Sequence, residues 1–388
     1  MEFVPSGQGF LRKNLHGAME YQSFVPTPLN EVVPLGLGSD THRLLSTCSL
    51  KLGELKGMLR FISNADMYLA MYVRKEALLS AQIEGTQCTF DDVLDPTRTD
   101  LIGHEVADVV AYVRATELAV QRMKCLPLCM RLLREVHKKL LDGTRGTEKN
   151  PGEVRTSQNW VGPTGCTIKG AAYIPPNIED MNAALSELER FINEADSVDP
   201  ILKAALVHYQ FETIHPFLDG NGRLGRLLIT LSLLNDGVLT GAVFYPSYYL
   251  KLNRSEYYTR LMNVRQRGAY EEWVAFFCKC LIKSADDAIE SLDRLVELRR
   301  CNLEKLGKAT GVSVQNGQRL LDLLEASPFV SIGDVTEKLN IARTTASKLV
   351  EGFERLGILV QHETGRRRYR TFQYEEYLSI LRQGSEPL

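Results

Sequence analysis

No apolar run in this 388-residue chain approaches the roughly 18 residues that a membrane-spanning helix needs, and Met1 to Phe10 lacks the charged start and apolar block of a secretory signal. The expectation is a cytoplasmic protein with no membrane partner. No C-x-x-C pair occurs among the eight cysteines: three residues separate Cys125 from Cys129, and one separates Cys278 from Cys280. Those spacings exclude the common zinc and thioredoxin-like sites and predict reduced core thiols. Net charge is also scarce. With 46 Lys plus Arg against 48 Asp plus Glu, the whole molecule offers no bulk field for nucleic acid or a membrane surface, so any basic function is local. What is present is a globular composition, 44% hydrophobic and 24% charged, which excludes a disordered or collagen-like chain. The length calls for two or three domains.

Residues 1–45 are rich in Pro, Gly and Ser, a composition that predicts an irregular arm laid over a domain. Helical spacing of apolar residues then covers Ser46 to Glu84 and His104 to Lys124. Further helices are expected at Met130 to Leu141, Met181 to Glu194, Pro200 to Phe211, Arg223 to Asn235, Arg254 to Val264 and Glu271 to Arg300. Between Thr156 and Pro176, strand-type residues interrupted by Gly162, Pro163 and Gly165 predict a short β-hairpin. Gly307, Gly311 and Gly317 mark a joint near 310. Beyond it, an apolar helix around Leu320 to Leu324, a second at Ile332 to Leu339 and a third at Arg343 to Leu356 precede a two-stranded wing over Ile358 to Phe372. That order is a winged helix-turn-helix. The fold class expected is therefore mainly α, a helical bundle with a small β-hairpin flap, followed by the winged module.

The densest cluster of unusual residues runs His215, Pro216, Phe217, Leu218, Asp219, Gly220, Asn221, Gly222, Arg223, Leu224, Gly225, Arg226, between two apolar helices. Glycines flanking Asn221 let backbone N–H groups turn into one concavity, and the helix that follows adds its positive end; a phosphate fits such a nest. Arg223 and Arg226 fall in the first turn and reach phosphoryl oxygens as planar, always charged donors. Asp219 makes sense there as a ligand for Mg²⁺ bridging to phosphate. His215, four residues ahead of that carboxylate, suits a general base for an attacking hydroxyl. Gly220, Gly222 and Gly225 also satisfy G-x-G-x-x-G, but no buried strand precedes them and no strand and helix alternation surrounds them, so a dinucleotide fold is excluded. No P-loop sequence occurs either.

His215 to Arg226 resembles the Fic motif, H-x-F-x-[D/E]-G-N-G-R-x-x-R, at every defined position, and the wider resemblance covers roughly Phe61 to Lys283. It implies a helical enzyme that transfers AMP from ATP to a Ser, Thr or Tyr hydroxyl of a target protein, itself included, and releases pyrophosphate. By the same resemblance His215 is the base, Asp219 the Mg²⁺ ligand, with Mn²⁺ as a substitute, and Gly220, Asn221 and Gly222 the anion nest. Arg223 and Arg226 would hold the outer phosphates.

Leu69, Val73, Ala77, Ser80 and Glu84 share one stripe of a helix ending at Gly85, which places Glu84 at the tail of an apolar face. An inward carboxylate needs a cation, and Arg226 is a candidate. Ser80 to Gly85 resembles the inhibitory motif [S/T]-x-x-x-E-[G/N] of the second Fic class. That likeness implies that Glu84 pairs with Arg226 and leaves ATP misaligned. Some restrained Fic proteins also remove AMP with this glutamate, and the sequence leaves the direction open.

The hairpin resembles the Fic flap, with Ile168 and Tyr173 as candidate target-docking residues whose strand edge adds main-chain hydrogen bonds to an extended segment. Tyr249 and Asn253, with Tyr248, lie where the family places base contacts. In the winged module, Arg343, Thr344 and Lys348 are expected to face a DNA major groove, and Arg366, Arg367 and Arg368 of the wing to meet phosphates. A wing used for protein contacts is the other reading. The organisation expected is an arm at 1–45, an N-terminal helical region with the inhibitory helix at 46–125, the Fic core at 126–285, a connecting helix at 286–310 and the winged helix at 311–388. The competing function is a transcriptional regulator whose Fic region senses nucleotide; a different nucleotide or phosphoryl donor is also left open, as is a homodimer.

Overall fold

The computed structural model describes residues 7–59, 65–95, 103–163, 165–242, 244–311, 313–362 and 370–387. It opens with β1 (Gly9–Asn14) and β2 (Tyr21–Pro26), paired antiparallel from Gly9 opposite Pro26 to Asn14 opposite Tyr21. The irregular arm expected there is thus a hairpin. Its Pro and Gly stand at strand ends, where no ladder bond is lost. The buried Phe24 ties it down, donating its N–H to the carbonyl of Ile174 at 3.0 Å.

A helical body follows: α1 (Leu29–Val32), α2 (Ser39–Met58), α3 (Ala65–Ile83), α4 (Phe90–Leu94), α5 (Gly103–Arg122), α6 (Met130–Leu140), α7 (Ile178–Glu194) and α8 (Pro200–Ile214). It continues with α9 (Asn221–Asn235), α10 (Ser247–Leu252), α11 (Arg254–Arg267) and α12 (Tyr270–Lys308). The centre is α8. Asp199 caps it by accepting from the N–H groups of Ile201 and Leu202, Pro200 opens it, and every residue from Ile201 to Ile214 is buried. A helix apolar on all sides has to be enclosed by others. The neighbours are α9, which packs along it, and α12, pinned by Trp273 Nε1 donating to the Ala205 carbonyl at 2.9 Å. Gly225 permits the close approach of α9, since a Cβ there would stand 2.2 Å from Glu212 Oε1.

The connecting helix expected at 286–310 lies largely within α12, which runs unbroken over 39 residues from the body into the C-terminal module. There α13 (Val314–Ala326), β3 (Phe329–Ser331), α14 (Ile332–Leu339), α15 (Arg343–Arg355), β4 (Val360–Gln361) and β5 (Thr371–Gln373) form a winged helix with strand order β3-β5-β4. Asn340 makes the tight turn in left-handed backbone, φ 52°. The wing arginines Arg366, Arg367 and Arg368 lie outside the described residues. An additional helix, α16 (Glu375–Arg382), folds back onto the body, where Arg382 Nε meets Asp91 Oδ1 at 2.7 Å.

All eight cysteines are free, but only Cys48, Cys88, Cys278 and Cys280 are buried; Cys125 is exposed, which corrects the expectation of core thiols throughout. Among the described residues no helix is long and apolar enough to cross a membrane.

Candidate active site

The site lies where the chain leaves α8 and enters α9. His215 caps α8 in left-handed backbone, φ 49° and ψ 61°, with its N–H still bonded to Phe211 at 2.9 Å. Gly220, φ 74°, turns the chain into α9. The loop between them is fixed by Asn221, whose Oδ1 accepts from Phe217 N–H at 2.9 Å and whose Nδ2 donates to the Phe217 carbonyl at 2.8 Å. Its side chain is therefore spent on the loop, and only its backbone is left for an anion. The first turn of α9 has no side-chain cap, so the N–H groups that a helix leaves unpaired at its start remain available there.

His137 holds the same loop from below. Buried and stacked on Phe217, it accepts from the Gly152 N–H at Nδ1, 2.8 Å, so Nε2 carries the proton donated to the Asp219 carbonyl at 2.9 Å. Burial pushes it down to about 4, which keeps it neutral. The Asp219 carboxylate takes the Gly220 N–H at 2.7 Å on Oδ1 and stays 43% exposed toward the cavity.

That cavity has two parts. One, 330 Å³ and largely polar, is lined by Glu84, Asp108, Arg145, His215, Asp219, the nest from Gly220 to Gly222, and Arg223. The other, 490 Å³, shares Glu84, His215 and Gly222, and adds Arg226, Glu212, Tyr258, Leu261, Met262, and Val161 with Tyr173 of the flap. His215 stands between them. Burial, then the charge of Arg265, lowers it to about 4, so the imidazole is neutral and able to accept a proton. The Glu212 carbonyl favours a proton on the ring, although Nδ1 makes no formed hydrogen bond.

Arg226 is 1% exposed. Its Nε donates to Ser80 Oγ at 2.8 Å, and Nη2 donates to the Ser80 carbonyl at 3.0 Å and to Glu84 Oε1 at 2.7 Å. Burial alone would lower the guanidinium, yet Glu84 beside it holds it above its ordinary value. Burial likewise works against the Glu84 carboxylate, and Arg226 brings it below the usual range. Gly85, φ 98°, ends α3 directly after Glu84. Arg223, from the same turn of α9, has Nη1 3.4 Å from Asp108 Oδ1 and Nη2 3.8 Å from Asp219 Oδ2.

The flap departs from expectation. Val161 and Tyr173 form a single antiparallel bridge, while Ile168 sits in a 3₁₀ turn, Ile168–Gly170, rather than a strand. The Tyr173 ring is buried, donates its hydroxyl to the Thr213 carbonyl at 2.6 Å and lies under Arg265, so it anchors the flap from inside. Tyr249 and Asn253 line a groove between α11, α12 and α2, apart from both halves of the cavity. Arg254 and Tyr258, one turn further, face the cavity instead.

Sequence reasoning also misses five charged lining residues: Asp108, Arg145, Glu212, Arg254 and Arg265. Glu212 is buried three positions before His215, with Oε1 making no hydrogen bond, and burial raises its carboxyl to about 7. On α15, Arg343, Thr344, Thr345 and Lys348 are exposed.

Residues 127–233 match the Fic/DOC family, residues 42–121 the Fic/DOC family N-terminal region and residues 313–363 the IclR helix-turn-helix domain. The chain carries a Fic/DOC domain. Among curated proteins, it is similar to the protein adenylyltransferase Fic of Drosophila ananassae, 30% identical over 190 residues, 48% of this chain and 33% of that protein. The corresponding protein of Drosophila melanogaster is 29% identical over 202 residues, 50% of this chain and 37% of that one. The chain spans about a third of the length of the curated relatives it matches. A Fic family protein from Desulfovibrio desulfuricans G20 shares the fold, with a TM-score of 0.55 at 19% identity, covering 88% of this chain and 97% of that one.

Proposed function

We propose that this Fic protein is a self-restrained, magnesium-dependent protein adenylyltransferase acting on a Ser, Thr or Tyr hydroxyl of a target protein or of itself. The observation that carries the reading is the Glu84–Arg226 pair at 2.7 Å, set at the junction of a cavity that holds a neutral histidine and an uncapped helix start. The α9 amides, Arg223 and a released Arg226 would receive the polyphosphate of ATP. Tyr258, Leu261 and Met262 offer an apolar wall for the base. His215 accepts the proton of the target hydroxyl as its oxygen attacks the α-phosphorus and the bond to pyrophosphate breaks.

Asp219 is the residue that would hold Mg²⁺. A half-exposed single carboxylate facing the nest fits that ion, which commonly takes one or two carboxylates and completes its shell with phosphates and waters. Among the described residues no group of three or more His, Cys, Asp or Glu gathers, which argues against an all-protein metal cage there. When bound, the ion supplies charge neutralisation at the leaving phosphates. Glu84, once freed, also stands beside His215 where it could orient a water for the reverse removal of AMP.

The test is intact-mass measurement of the Glu84→Gly protein with ATP and Mg²⁺. An added AMP mass that disappears in the Glu84→Gly, His215→Ala double variant is expected; no adduct on any offered protein would overturn the reading. A second reading, a DNA-binding regulator whose Fic region senses nucleotide, is favoured by the exposed Arg343, Thr344 and Lys348 at the start of α15. Tight, salt-sensitive operator binding by the full chain with no labelling would select it.

A further inference from the structure

Asp108 is a buried carboxylate on α5 placed between two arginines that line the polar half of the cavity. Arg145 Nη2 donates to Asp108 Oδ2 at 3.1 Å, and Arg223 Nη1 stands 3.4 Å from Oδ1. Asp108 and Arg223 are 7% and 9% exposed, whereas Arg145 is 60% exposed at the mouth. Arg223 Nη1 is buried and makes no formed hydrogen bond, so its tie to Asp108 Oδ1 is one of charge alone, while Arg223 as a residue lines the cavity. Arg145 begins a 3₁₀ turn, Arg145–Glu148, whose Gly146 packs on the Asp219 carboxylate.

We propose that Arg145 is an additional guanidinium of the polyphosphate site, and that Asp108 is the positioning residue that holds Arg145 and Arg223 side by side. Without a shared carboxylate, two neighbouring guanidinium groups repel and splay; with it, both face the nest. An anion of two or more phosphates then spans from the α9 amides to Arg145, and a monophosphate does not reach it. The inference rests on the nucleotide reading above, and the test separates the two. Titration calorimetry on the Glu84→Gly protein and on its Arg145→Ala and Arg145→Lys derivatives uses ATP, AMP and tripolyphosphate. Arg145→Ala is expected to weaken ATP and tripolyphosphate roughly tenfold, with AMP within about twofold and lysine only partly restoring the loss. Unchanged tripolyphosphate affinity, or an equal loss for AMP, would overturn it. A parent that binds tripolyphosphate but no ATP sinks the nucleotide reading and leaves the role of Arg145 decided by the tripolyphosphate arm.

A separate observation concerns α3. Gln82, 1% exposed and two residues before Glu84, donates from Nε2 to the carbonyls of Ser385 at 2.8 Å and Cys88 at 3.1 Å. Lys251 of α10 donates to the carbonyls of Gly384 and Glu386, and Gly384 packs so closely on Tyr248 that a Cβ would meet the ring at 2.1 Å. Farther along, α13 packs against α3, and Arg382 of α16 pairs with Asp91. We infer that residues 383–386 are a latch that fixes the α3 terminus, so that displacing the C-terminal module loosens the hold of Glu84 on Arg226.

Gln82→Leu and Gly384→Val attack the latch from its two sides. Each should raise amide exchange at 80–84 and increase AMP self-labelling several-fold in the wild-type background, with no further increase over Glu84→Gly alone. Unchanged exchange at 80–84 in both variants would overturn the latch. Because exchange is read without turnover, it decides the latch even where Glu84→Gly gives no adduct and the enzymatic reading itself fails.

Discussion

Replacing Glu84 by glutamine keeps the shape of the side chain and removes its charge from a guanidinium that is 1% exposed. Breaking a buried ion pair from one side costs about 3 to 5 kcal/mol. Glu84 itself is 43% exposed, so solvent screens much of the attraction, and the proposed restraint is worth nearer ~1.5 kcal/mol. At that value the competent, unpaired state of Arg226 is populated roughly tenfold more in the variant, and apparent ATP affinity for the productive pose rises by the same factor. The assay is the initial rate of AMP incorporation by intact mass, at ATP well below saturation, for wild type, Glu84→Gln and Glu84→Gly. Gln should gain about tenfold and Gly more, since glycine also vacates the volume beside Gly222, where Glu84 Oε1 now lies. The same substitutions leave Arg226 buried without its counter-ion, so both should melt lower than wild type and recover a larger part of the loss when ATP and Mg²⁺ are added. Rates within twofold of wild type, together with an unchanged thermal response to ATP, would refute the restraint.

Other consequences follow from the same geometry. Glu212 has its folded pKa raised to about 7 by burial, so its contribution is fully present below the unfolded value near 4.5 and is lost as pH rises through 7. Glu212→Gln should therefore be near neutral in stability at pH 5 and stabilising by up to ~3 kcal/mol at pH 8, read from chemical denaturation at the two pH values; a pH-independent difference contradicts it. Gly146→Ala sets a Cβ 2.7 Å from Asp219 Oδ2 and 2.8 Å from the buried Leu141 Cδ2; it should turn that carboxylate away from the nest, raising the Mg²⁺ concentration for half-maximal labelling several-fold, and lower the melting temperature by crowding Leu141. Equal Mg²⁺ dependence argues that Asp219 is not the ligand. For the winged module, Arg343→Ala and Lys348→Ala should each lower the slope of log affinity against log salt for duplex DNA by roughly 0.9 in the full chain. Binding without salt dependence points to a protein-contact role instead.

What the sequence reveals depends on whether the signal is local. Glu84 can be read because a charge breaks the apolar stripe Leu69, Val73, Ala77, Ser80, and the structure closes that stripe on Arg226. Asp108 carries the same signal, lying three, seven and eleven residues before the buried Ala111, Ala115 and Ala119 of α5. It escapes notice because an alanine stripe is a weak hydrophobic pattern. Arg145 gives no such cue: its neighbours are polar, and its place is set only when the turn after α6 closes against α5. The β1–β2 hairpin is obscured by a composition that local propensity assigns to loop, whereas cross-strand pairing and the docking of Phe24 decide it. Tyr249 and Asn253 share a helical face four residues apart, but which way that face points depends on how α10 meets α11 and α12, and it turns away from the cavity.

The arrangement of charge ties the proposed restraint to the architecture of the site. The α8–α9 turn brings His215, the amides of Gly220 to Gly222 and two arginines together at the buried centre of the body, where unpaired guanidinium groups are costly. Each arginine receives a carboxylate from the preceding N-terminal region: Glu84 from the end of α3 for Arg226, and Asp108 from α5 for Arg223. Under the proposed reading the two are not equivalent. Asp108 is enclosed and shares its charge with Arg145, so a polyphosphate can add to that group without displacing it. Glu84 sits on the open side, 43% exposed, next to the volume an outer phosphate needs, and has to leave when that phosphate arrives. Under the proposed reading, one carboxylate therefore builds the site while the other closes it. A Glu84 and Asp108 double variant should then lose the gain that removal of Glu84 alone confers, because the freed Arg226 would face a nest whose second arginine is no longer held in place.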